Sequence, residues 1–331
     1  MNGRMQGATR TRLAAAAFVL CAFAILAPAA VLLRAARPAA QAPQDPQTPR
    51  ATFSSRADLV VLHVTVLDGR EGFVAGLPRE AFTVYENGQP QEISFFRNED
   101  SPVTVGLVID NSTSMHRKRD AVIAAGLAFA RSSHPDDQLF TINFNERVWH
   151  GLPAGQPFTS DLDEFRAALQ RITARGRTAF FDALALGLEH VERGREQKKV
   201  LIVLSDGGDN ASTRRFADVL DAARRSDTVI YTIGMADQYD DGADPGVLRE
   251  LARATGAEAY FPKDVRDLTR LLERIARDIR SGYTIGYVPA KQQAGFHEIR
   301  VDVRSPEHGD LVVRARSGYA RKGGSQPHGA R

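Results

Sequence analysis

The chain has 331 residues, of which 43% are hydrophobic and 25% charged, as in a folded globular protein with room for one large domain and a smaller one. Its 43 basic and 40 acidic side chains give a formal net charge of +3, a balance too even to indicate a nucleic-acid partner. The single cysteine, Cys21, excludes a disulfide within the chain and a thiolate metal site in its body.

The first 37 residues resemble a targeting segment. Arg4, Arg10 and Arg12 precede the uncharged apolar run Leu13–Leu33, which approaches the ~20 residues that span a bilayer. A basic flank before such a run keeps the N-terminus inside and sends the rest across. We therefore expect residues 1–37 to be a cleaved signal peptide or an uncleaved signal-anchor in the inner membrane. In either case the body is exported, to the periplasm, the cell envelope or the medium.

The next residues form a spacer and then a β segment. Residues 38–51, rich in Pro, Ala and Gln, predict a semi-extended linker. Residues 52–99 are predicted to be all β, beginning with a half-buried strand of alternating pattern at 60–67. Farther on, Asn-Gly at 87–88 lies between apolar runs at 82–85 and 93–96, which predicts a hairpin joining those two runs.

Residues 103–281 alternate between strands and helices. The run Val103–Ile109 is continuously apolar, as expected for a parallel strand covered on both faces. Further strands are expected at 139–144, 148–152, 200–204, 229–233 and 259–261. Helices are expected at 119–132, 162–172, 179–191, 215–225, 245–254 and 265–279. This alternation predicts an α/β fold with a doubly wound, mostly parallel sheet.

From Tyr283 the pattern returns to β. Strands are predicted at 283–288, 298–303 and 311–315, and residues 321–331 are expected to be a disordered tail. Residues 52–99 are too few for a stable sandwich of their own. We therefore expect residues 283–320 to pair with them in one smaller β-sandwich, into which the α/β domain is inserted.

Three polar motifs follow predicted strands or precede a helix of the α/β region. Asp110-Asn111-Ser112-Thr113-Ser114 ends the first buried strand, Thr178 precedes a helix, and Asp206 ends another buried strand. Here the chain resembles von Willebrand factor type A domains, whose metal-ion-dependent adhesion site opens with Asp-x-Ser-x-Ser and continues with a loop threonine and an aspartate. The resemblance covers about residues 103–281.

The flanking segments extend the resemblance to a bacterial group of secreted proteins with domains of this type. The matching stretches are Leu67-Asp68-Gly69, residues 77–88, Tyr283–Tyr287 and Gly318-Tyr319. Asp182, in the helix after Thr178, also fits the pattern of that group. It is expected to lie behind the metal ligands, with an exposed or capping role as the alternative.

The resemblance implies one divalent metal ion, Mg²⁺ first, with Mn²⁺ or Ca²⁺ as alternatives, and a coordination position open to an acidic group of a protein or peptide partner. The implied ligands are Asp110, Ser112, Ser114, Thr178 and Asp206. The chemistry agrees, because ligand sites in open α/β sheets lie at the carboxyl ends of strands and hard oxygen donors suit these cations. Asp209 and Asn210, by contrast, are expected to cap the next helix.

No catalytic motif accompanies this site. The sequence has no Gly-x-Ser-x-Gly elbow, no His-Glu-x-x-His and no phosphate-binding glycine loop, so we expect no enzymatic activity. The main hypothesis is an exported binding or adhesion-type module. A structural envelope scaffold whose metal only stabilises the sheet is the first alternative. A metal-dependent hydrolase is a weaker one, because a general base with a supporting group is lacking.

Overall fold

The structure, a computed structural model, describes residues 59–70, 72–98, 100–171, 174–235, 242–290 and 293–321, all within one compact unit, Ser55–Arg331. Its strands are β1 (Val60–Leu67), β2 (Phe82–Glu86), β3 (Gln89–Gln91), β4 (Ile93–Arg97), β5 (Val103–Asp110), β6 (Gln138–Phe144), β7 (Val148–His150), β8 (Lys198–Ser205), β9 (Val229–Gly234), β10 (Ala259–Tyr260), β11 (Tyr283–Tyr287), β12 (Gly295–Val303), β13 (Val312–Arg314) and β14 (Gly318–Arg321). Its α-helices are α1 (Arg119–Ser132), α2 (Leu162–Gln170), α3 (Phe180–Val191), α4 (Phe216–Arg225), α5 (Pro245–Thr255) and α6 (Leu268–Ser281).

The central sheet has the strand order β10-β9-β8-β5-β6-β7, and only β6 and β7 run antiparallel to each other. Every residue of β5 is buried, because α1, α2 and α6 cover one face of the sheet and α3, α4 and α5 cover the other. Burial on both faces explains the continuous apolar run of this strand. The predicted α/β fold with a mostly parallel sheet is confirmed.

Two antiparallel sheets are built from the segments on either side of the α/β region. Their strand orders are β13-β1-β11-β4 and β14-β12-β2-β3. β1 pairs with β11 and β13, and β2 pairs with β12, so both sheets join strands from before and after the α/β region. Apolar side chains from the two sheets, among them Leu62, Val84, Tyr283 and Val301, form one core.

The predicted hairpin at Asn87-Gly88 has a different second strand. The turn itself is present, with φ of 48° at Asn87 and 76° at Gly88, as a two-residue hairpin turn requires. However, β2 pairs with the short β3, whereas β4 pairs with β11 in the opposite sheet. The prediction of 93–96 as the partner of 82–85 was therefore wrong. The turn residues fix a local reversal, but β4 takes its partner from the far side of the α/β region, with Phe96 opposite Ile285 of β11.

The prediction that β1 is half-buried was also wrong. All its residues except Val61 are buried, although the alternating pattern suggested one solvated face. The second face lies against the α/β region, where the hydroxyl of Thr65 donates to Asp278 of α6 over 2.8 Å. Because of this hydrogen bond, the hydroxyl of Thr65 is buried with a partner, although threonine is common on exposed strand faces.

Several predictions fall outside the described residues. These are the targeting segment with Cys21, the linker at 38–51, the first residues of the β segment and the tail from 322 onward. Among the helices of the described ranges, none combines the length and apolar character needed to cross a membrane.

Candidate functional site

Asp110 and Asp206 come together because their strands are neighbours in the sheet. Asp110 is the last residue of β5, and Asp206 directly follows β8. The two strands pair in parallel with Ile109 opposite Leu204, so both carboxylates leave the sheet at the same edge. This is the carboxyl edge, where open α/β sheets place their ligand sites.

A row of hydrogen bonds links the two carboxylates through the serines of the motif. Ser114 Oγ donates to Asp206 Oδ2 over 2.8 Å. Since that bond uses the only hydroxyl proton of Ser114, the 3.1 Å contact between the two serine hydroxyls must have Ser112 as the donor. The backbone N–H of Ser112 in turn donates to Asp110 Oδ1 over 2.8 Å. Four of the five predicted ligands therefore form one continuous cluster.

The electrostatics of this cluster are dominated by two buried acids. Asp110 is 2% exposed and Asp206 is 5% exposed. Burial and, to a smaller extent, the negative charge of Asp206 raise the pKa of Asp110 to about 6, although hydrogen bonds from Ser112 and Ser205 oppose the shift. The hydrogen bonds that described residues give to the two carboxylates all come from hydroxyls and backbone amides. Such donors satisfy the oxygens without cancelling the charge.

The loop that carries Thr178 is tied to the serine loop by backbone contacts. Both the N–H and the hydroxyl of Thr113 donate to the carbonyl oxygen of Gly176, over 3.2 and 3.1 Å. The N–H of Arg175 donates to the carbonyl oxygen of Asn111 over 2.8 Å. Thr178 itself is buried, and its N–H donates to Asn210 Oδ1 over 2.9 Å. The fifth predicted ligand is thus held in a loop that lies against the other four.

Gly176 occupies a left-handed backbone position of this loop, which favours glycine. Its φ is 80°, and an added Cβ would lie 1.7 Å from Glu146 Oε2. The same carboxylate oxygen accepts a hydrogen bond from the N–H of Arg177 over 3.0 Å. Arg177 can therefore stand directly before Thr178, because the left-handed turn occurs one residue earlier, at Gly176.

Sequence reasoning missed the residues that hold the site loops together. Ser205 Oγ donates to Asp110 Oδ2 over 2.7 Å, Asn210 binds the backbone of Thr178, and Glu146 binds the backbone of Arg177. Only Ser205 had a signal in the sequence, since it directly precedes Asp206. Asn210 and Glu146 act across loops that meet only in the folded chain.

Asp182 contacts a loop rather than the serine motif. Its carboxylate accepts hydrogen bonds from the N–H of Thr213 over 2.9 Å and from the N–H of Arg214 over 3.1 Å. These bonds join the first turn of α3 to the loop after β8, which also carries Asn210. A role for Asp182 behind the metal ligands stays a prediction.

The expected capping role of Asp209 and Asn210 at the next helix was wrong. Asp209 Oδ1 accepts the N–H of Phe181, in the first turn of the preceding helix α3, over 3.2 Å. The N-cap of that helix is Ala179, which has no capping side chain, so a residue distant in sequence satisfies one of its free N–H groups.

The donor set fits a hard divalent cation. Two carboxylates balance a charge of +2, and hydroxyl and carboxylate oxygens are the donors that Mg²⁺, Mn²⁺ and Ca²⁺ prefer. Within the described ranges, no group of three or more His, Cys, Asp or Glu side chains is placed to hold a metal ion. A metal held here would therefore need the hydroxyls of Ser112, Ser114 and Thr178 together with Asp110 and Asp206.

The sequence is similar to a curated protein over part of its length. An uncharacterized protein of Synechocystis sp. is 26% identical over 222 residues, which cover 64% of this chain and 51% of that protein. The chain thus spans about half the length of this curated relative.

Two solved structures are similar over part of the chain. A von Willebrand factor type A protein from Catenulispora acidiphila is 14% identical, with a TM-score of 0.48 and coverage of 79% of this chain and 73% of the other. The von Willebrand factor domain of the type V pili tip protein Mfa5 from Porphyromonas gingivalis is 15% identical, with a TM-score of 0.46 and coverage of 54% and 95%.

The family is decided by the sequence profile of the von Willebrand factor type A domain, which matches residues 105–274. That range contains all three parts of the motif and the strands and helices that carry them. The chain belongs to the von Willebrand factor type A domain family.

Proposed function

We infer that this chain is an exported, non-enzymatic binding protein that recognises an acidic group of a protein or peptide ligand through a bound divalent metal ion. Mg²⁺ is the first choice, with Mn²⁺ or Ca²⁺ as alternatives. The ligands to the metal are Asp110, Ser112, Ser114, Thr178 and Asp206. The single observation that carries this proposal is the pair of buried carboxylates joined by serine hydroxyls, because two like charges at one buried point favour a cation between them.

The serine hydroxyls are oriented for this role. In the described arrangement Ser114 directs its proton to Asp206 and accepts from Ser112, so one lone pair of its oxygen remains for a neighbouring group. A hydroxyl that donates to a carboxylate is also a better electron donor to a metal, since hydrogen bonding around a site tunes its ligands. The metal would supply a Lewis-acidic position at which a carboxylate from a partner can replace a water molecule.

The surface next to the site supports an acidic partner. Four exposed arginines, which we call the arginine rim, lie on the three loops that contact one another beside the serine motif: Arg117, Arg147, Arg175 and Arg177. Among the described residues no ion pair involves any of the four. Clustered unpaired cations attract an acidic surface and raise its rate of association.

Export is supported by the basic N-region and the apolar run Leu13–Leu33. A reporter that is active only in the periplasm should be active when fused after Arg50. Activity confined to a reporter that works in the cytoplasm would contradict export and leave the metal site unaffected.

The binding role is tested with the immobilised full-length chain and an envelope extract. A partner should be retained in Mg²⁺, be released by a chelator, and be retained again after Mg²⁺ is restored. Asp110→Ala should retain none of it. Asp137→Asn, which changes a buried carboxylate at the other end of β5, should retain it as the wild type does.

The second step identifies the group that is recognised. Each acidic residue at the contact surface of the captured partner is changed to its amide. One such change should abolish retention. If every amide variant binds as the original does, or if retention survives chelation, the metal is structural and the scaffold alternative replaces this proposal.

A further inference from the structure

A cavity of about 500 Å³ lies beside the edge strand β7, away from the serine motif. Its walls are the loop at 151–157 and the last turn of α3, and its floor is Phe140 of β6. None of the five predicted metal ligands lines it. Its volume falls within the roughly 300–1,000 Å³ of small-molecule sites in proteins.

The floor and one wall of the cavity are made of flat rings. Phe140 and His190 are both buried, and their ring centroids are 4.5 Å apart. The ring of His150 lies 4.7 Å from that of His190. Each of these two ring pairs is tilted by 47°, and together they form an aromatic wall against which an apolar group can pack.

Both histidines are neutral near pH 7. Burial lowers the pKa of His190, although its hydrogen bond with the Pro157 carbonyl opposes the shift, and burial together with the charge of Arg193 lowers the pKa of His150. A carbonyl oxygen only accepts, so Nε2 of His190, 2.8 Å from it, carries the ring proton. The positive charge of the cavity therefore resides on arginines.

Two guanidinium groups line the cavity. Arg171 uses Nη1 to donate to the carbonyl oxygens of Gly151 and Leu152, over 3.0 and 2.9 Å, which leaves its remaining N–H groups for a ligand. Arg193 is exposed on the turn after α3, and within the described ranges it forms no ion pair. No Asp or Glu side chain lines this cavity. Its charge therefore favours an anion, and guanidinium groups match carboxylates particularly well.

The loop wall is held in place before any ligand arrives. Gly151 has no room for a side chain, because an added Cβ would lie 1.8 Å from Thr141 Oγ1 and 2.9 Å from the Ala168 carbonyl oxygen. Its own N–H donates to the carbonyl oxygen of Thr141 over 2.8 Å. With Arg171 bonded to the same loop, the cavity is preformed, which lowers the cost of binding.

We propose that this cavity binds a small organic carboxylate with a flat apolar body. The body packs on Phe140 and His190, and the carboxylate lies between the guanidinium groups of Arg171 and Arg193. A metal ion is a poorer occupant, because the two histidines are the only side chains of the lining that commonly bind transition metals, and the arginines repel a cation.

The test uses the full-length chain and three probes: phenylacetate, its neutral analogue phenylacetamide, and acetate, which lacks the apolar body. Binding is followed by ligand-observed NMR and by fluorescence of the single tryptophan, Trp149, which precedes His150 in β7. Phenylacetate should bind with a Kd of about 1 mM or tighter, and the other two probes about tenfold more weakly.

Two variants separate the parts of the site. Arg193→Gln should weaken phenylacetate about tenfold and leave phenylacetamide unchanged, since only the charged bond is lost. Arg253→Gln, an exposed arginine on α5, is the matched control and should bind as the wild type does. Ala154→Trp places a large ring at an exposed position of the loop wall and should abolish binding of both aromatic probes.

Thermal melts confirm that each variant is folded before its binding is compared. The proposal is overturned if phenylacetate does not bind up to about 10 mM, a concentration at which a site of ordinary fragment affinity would be filled. It is also overturned if acid and amide bind equally, or if Arg193→Gln has no effect. None of these outcomes bears on the metal site, which shares no residue with the cavity.

Discussion

Two regions of the molecule bury carboxylates, and they satisfy them differently. In the β-sandwich, Glu86 accepts a hydrogen bond from Tyr287 Oη over 2.7 Å and lies 2.6 Å from His297 Nδ1. The other ring nitrogen of His297 is 2.8 Å from the carbonyl oxygen of Gln293. Since that carbonyl only accepts, Nε2 carries a proton, and a second proton is shared between Nδ1 and Glu86. The protein itself supplies the group that balances this acid.

At the carboxyl edge of the central sheet, none of the described hydrogen bonds brings a positive charge to the carboxylates. Asp110 and Asp206 receive hydroxyl and amide donors, and the charge of Asp206 adds to the cost of a charge on Asp110. A carboxylate that has a balancing group within the protein stabilises the fold. A pair of carboxylates without such a group is suited to binding a cation from solution. Changes at the two regions should therefore have opposite effects on the metal-free protein.

The largest effect is expected from Glu86→Ala. Removing one partner of a buried pair leaves His297 and two tyrosine hydroxyls without their acceptor, so the free energy of unfolding should fall by about 3–5 kcal/mol. Urea denaturation measures this change. Glu298→Ala, at an exposed position of β12, should stay within about 0.5 kcal/mol of the wild type. A loss of less than about 1 kcal/mol for Glu86→Ala would show that the sandwich does not depend on this pair.

Asp206→Asn should behave in the opposite way. Without metal the variant should be as stable as the wild type or slightly more stable, because it relieves the repulsion with Asp110. With Mg²⁺ at about 100 times its Kd, the wild type should gain about 2.7 kcal/mol and the variant nothing. A variant that is strongly destabilised without metal would mean that Asp206 is a structural acid like Glu86.

Acidification should lower the free energy of unfolding through His63 of β1. Burial and the charges of Lys198 and Arg316 lower its pKa to about 3, so the unfolded chain binds a proton below pH 6.5 that the folded chain does not. Stability due to this residue is present above pH 6.5 and is lost as the pH falls toward 3. From pH 6.5 to 5 the loss should be about 1.5–2 kcal/mol. His63→Leu should flatten this part of the pH profile, and an unchanged slope would refute the assignment.

Asp110 should act against His63 in the same pH range. Its pKa is raised to about 6, so the metal-free folded chain binds a proton more readily than the unfolded chain does. Its contribution to stability therefore increases as the pH falls from 6 toward 4. Asp110→Asn should make the metal-free protein lose more stability on acidification than the wild type loses, as measured by urea denaturation at pH 7 and 5.

The smallest effect is expected at the arginine rim. Changing Arg175 or Arg177 to Gln should weaken binding of a hexaglutamate peptide in Mg²⁺ about two- to fivefold each, since exposed ion pairs contribute little. The difference should disappear in high salt. Arg253→Gln is again the matched control. Equal effects of all three substitutions would show that the rim only adds to the net charge.

The sequence predicted most of the α/β region because its signals are local. The helix predicted at 119–132 has the same limits as α1, and the buried run at 103–109 matches β5 to one residue. Apolar periodicity and burial on two faces are properties of a single element. The partners of β4 and the buried outer face of β1 depend instead on strands and helices far along the chain, so no local pattern could reveal them.

In the candidate site, too, the residues marked by a local motif could be predicted, and those that act across loops could not. Asp110, Ser112 and Ser114 share one short motif, and Asp206 ends a recognisable strand, so these positions could be predicted. The groups that hold the loops could not, because Asn210 and Glu146 meet their partners only after folding. The partner of Asp209 was predicted at the next helix, yet it lies in the first turn of the preceding one.

The central prediction is that the hydroxyl-linked carboxylates at the ends of β5 and β8 bind a divalent cation. Calorimetric titration of Mg²⁺ into the metal-free wild type, Asp110→Asn and Asp137→Asn tests it directly. Both variants neutralise a buried acid, but Asp110 ends β5, whereas Asp137 accepts a hydrogen bond from Val103 at the start of that strand. We expect one binding site in the wild type and in Asp137→Asn, and none in Asp110→Asn. Equal Mg²⁺ affinity in all three proteins, or no binding to the wild type, would contradict it.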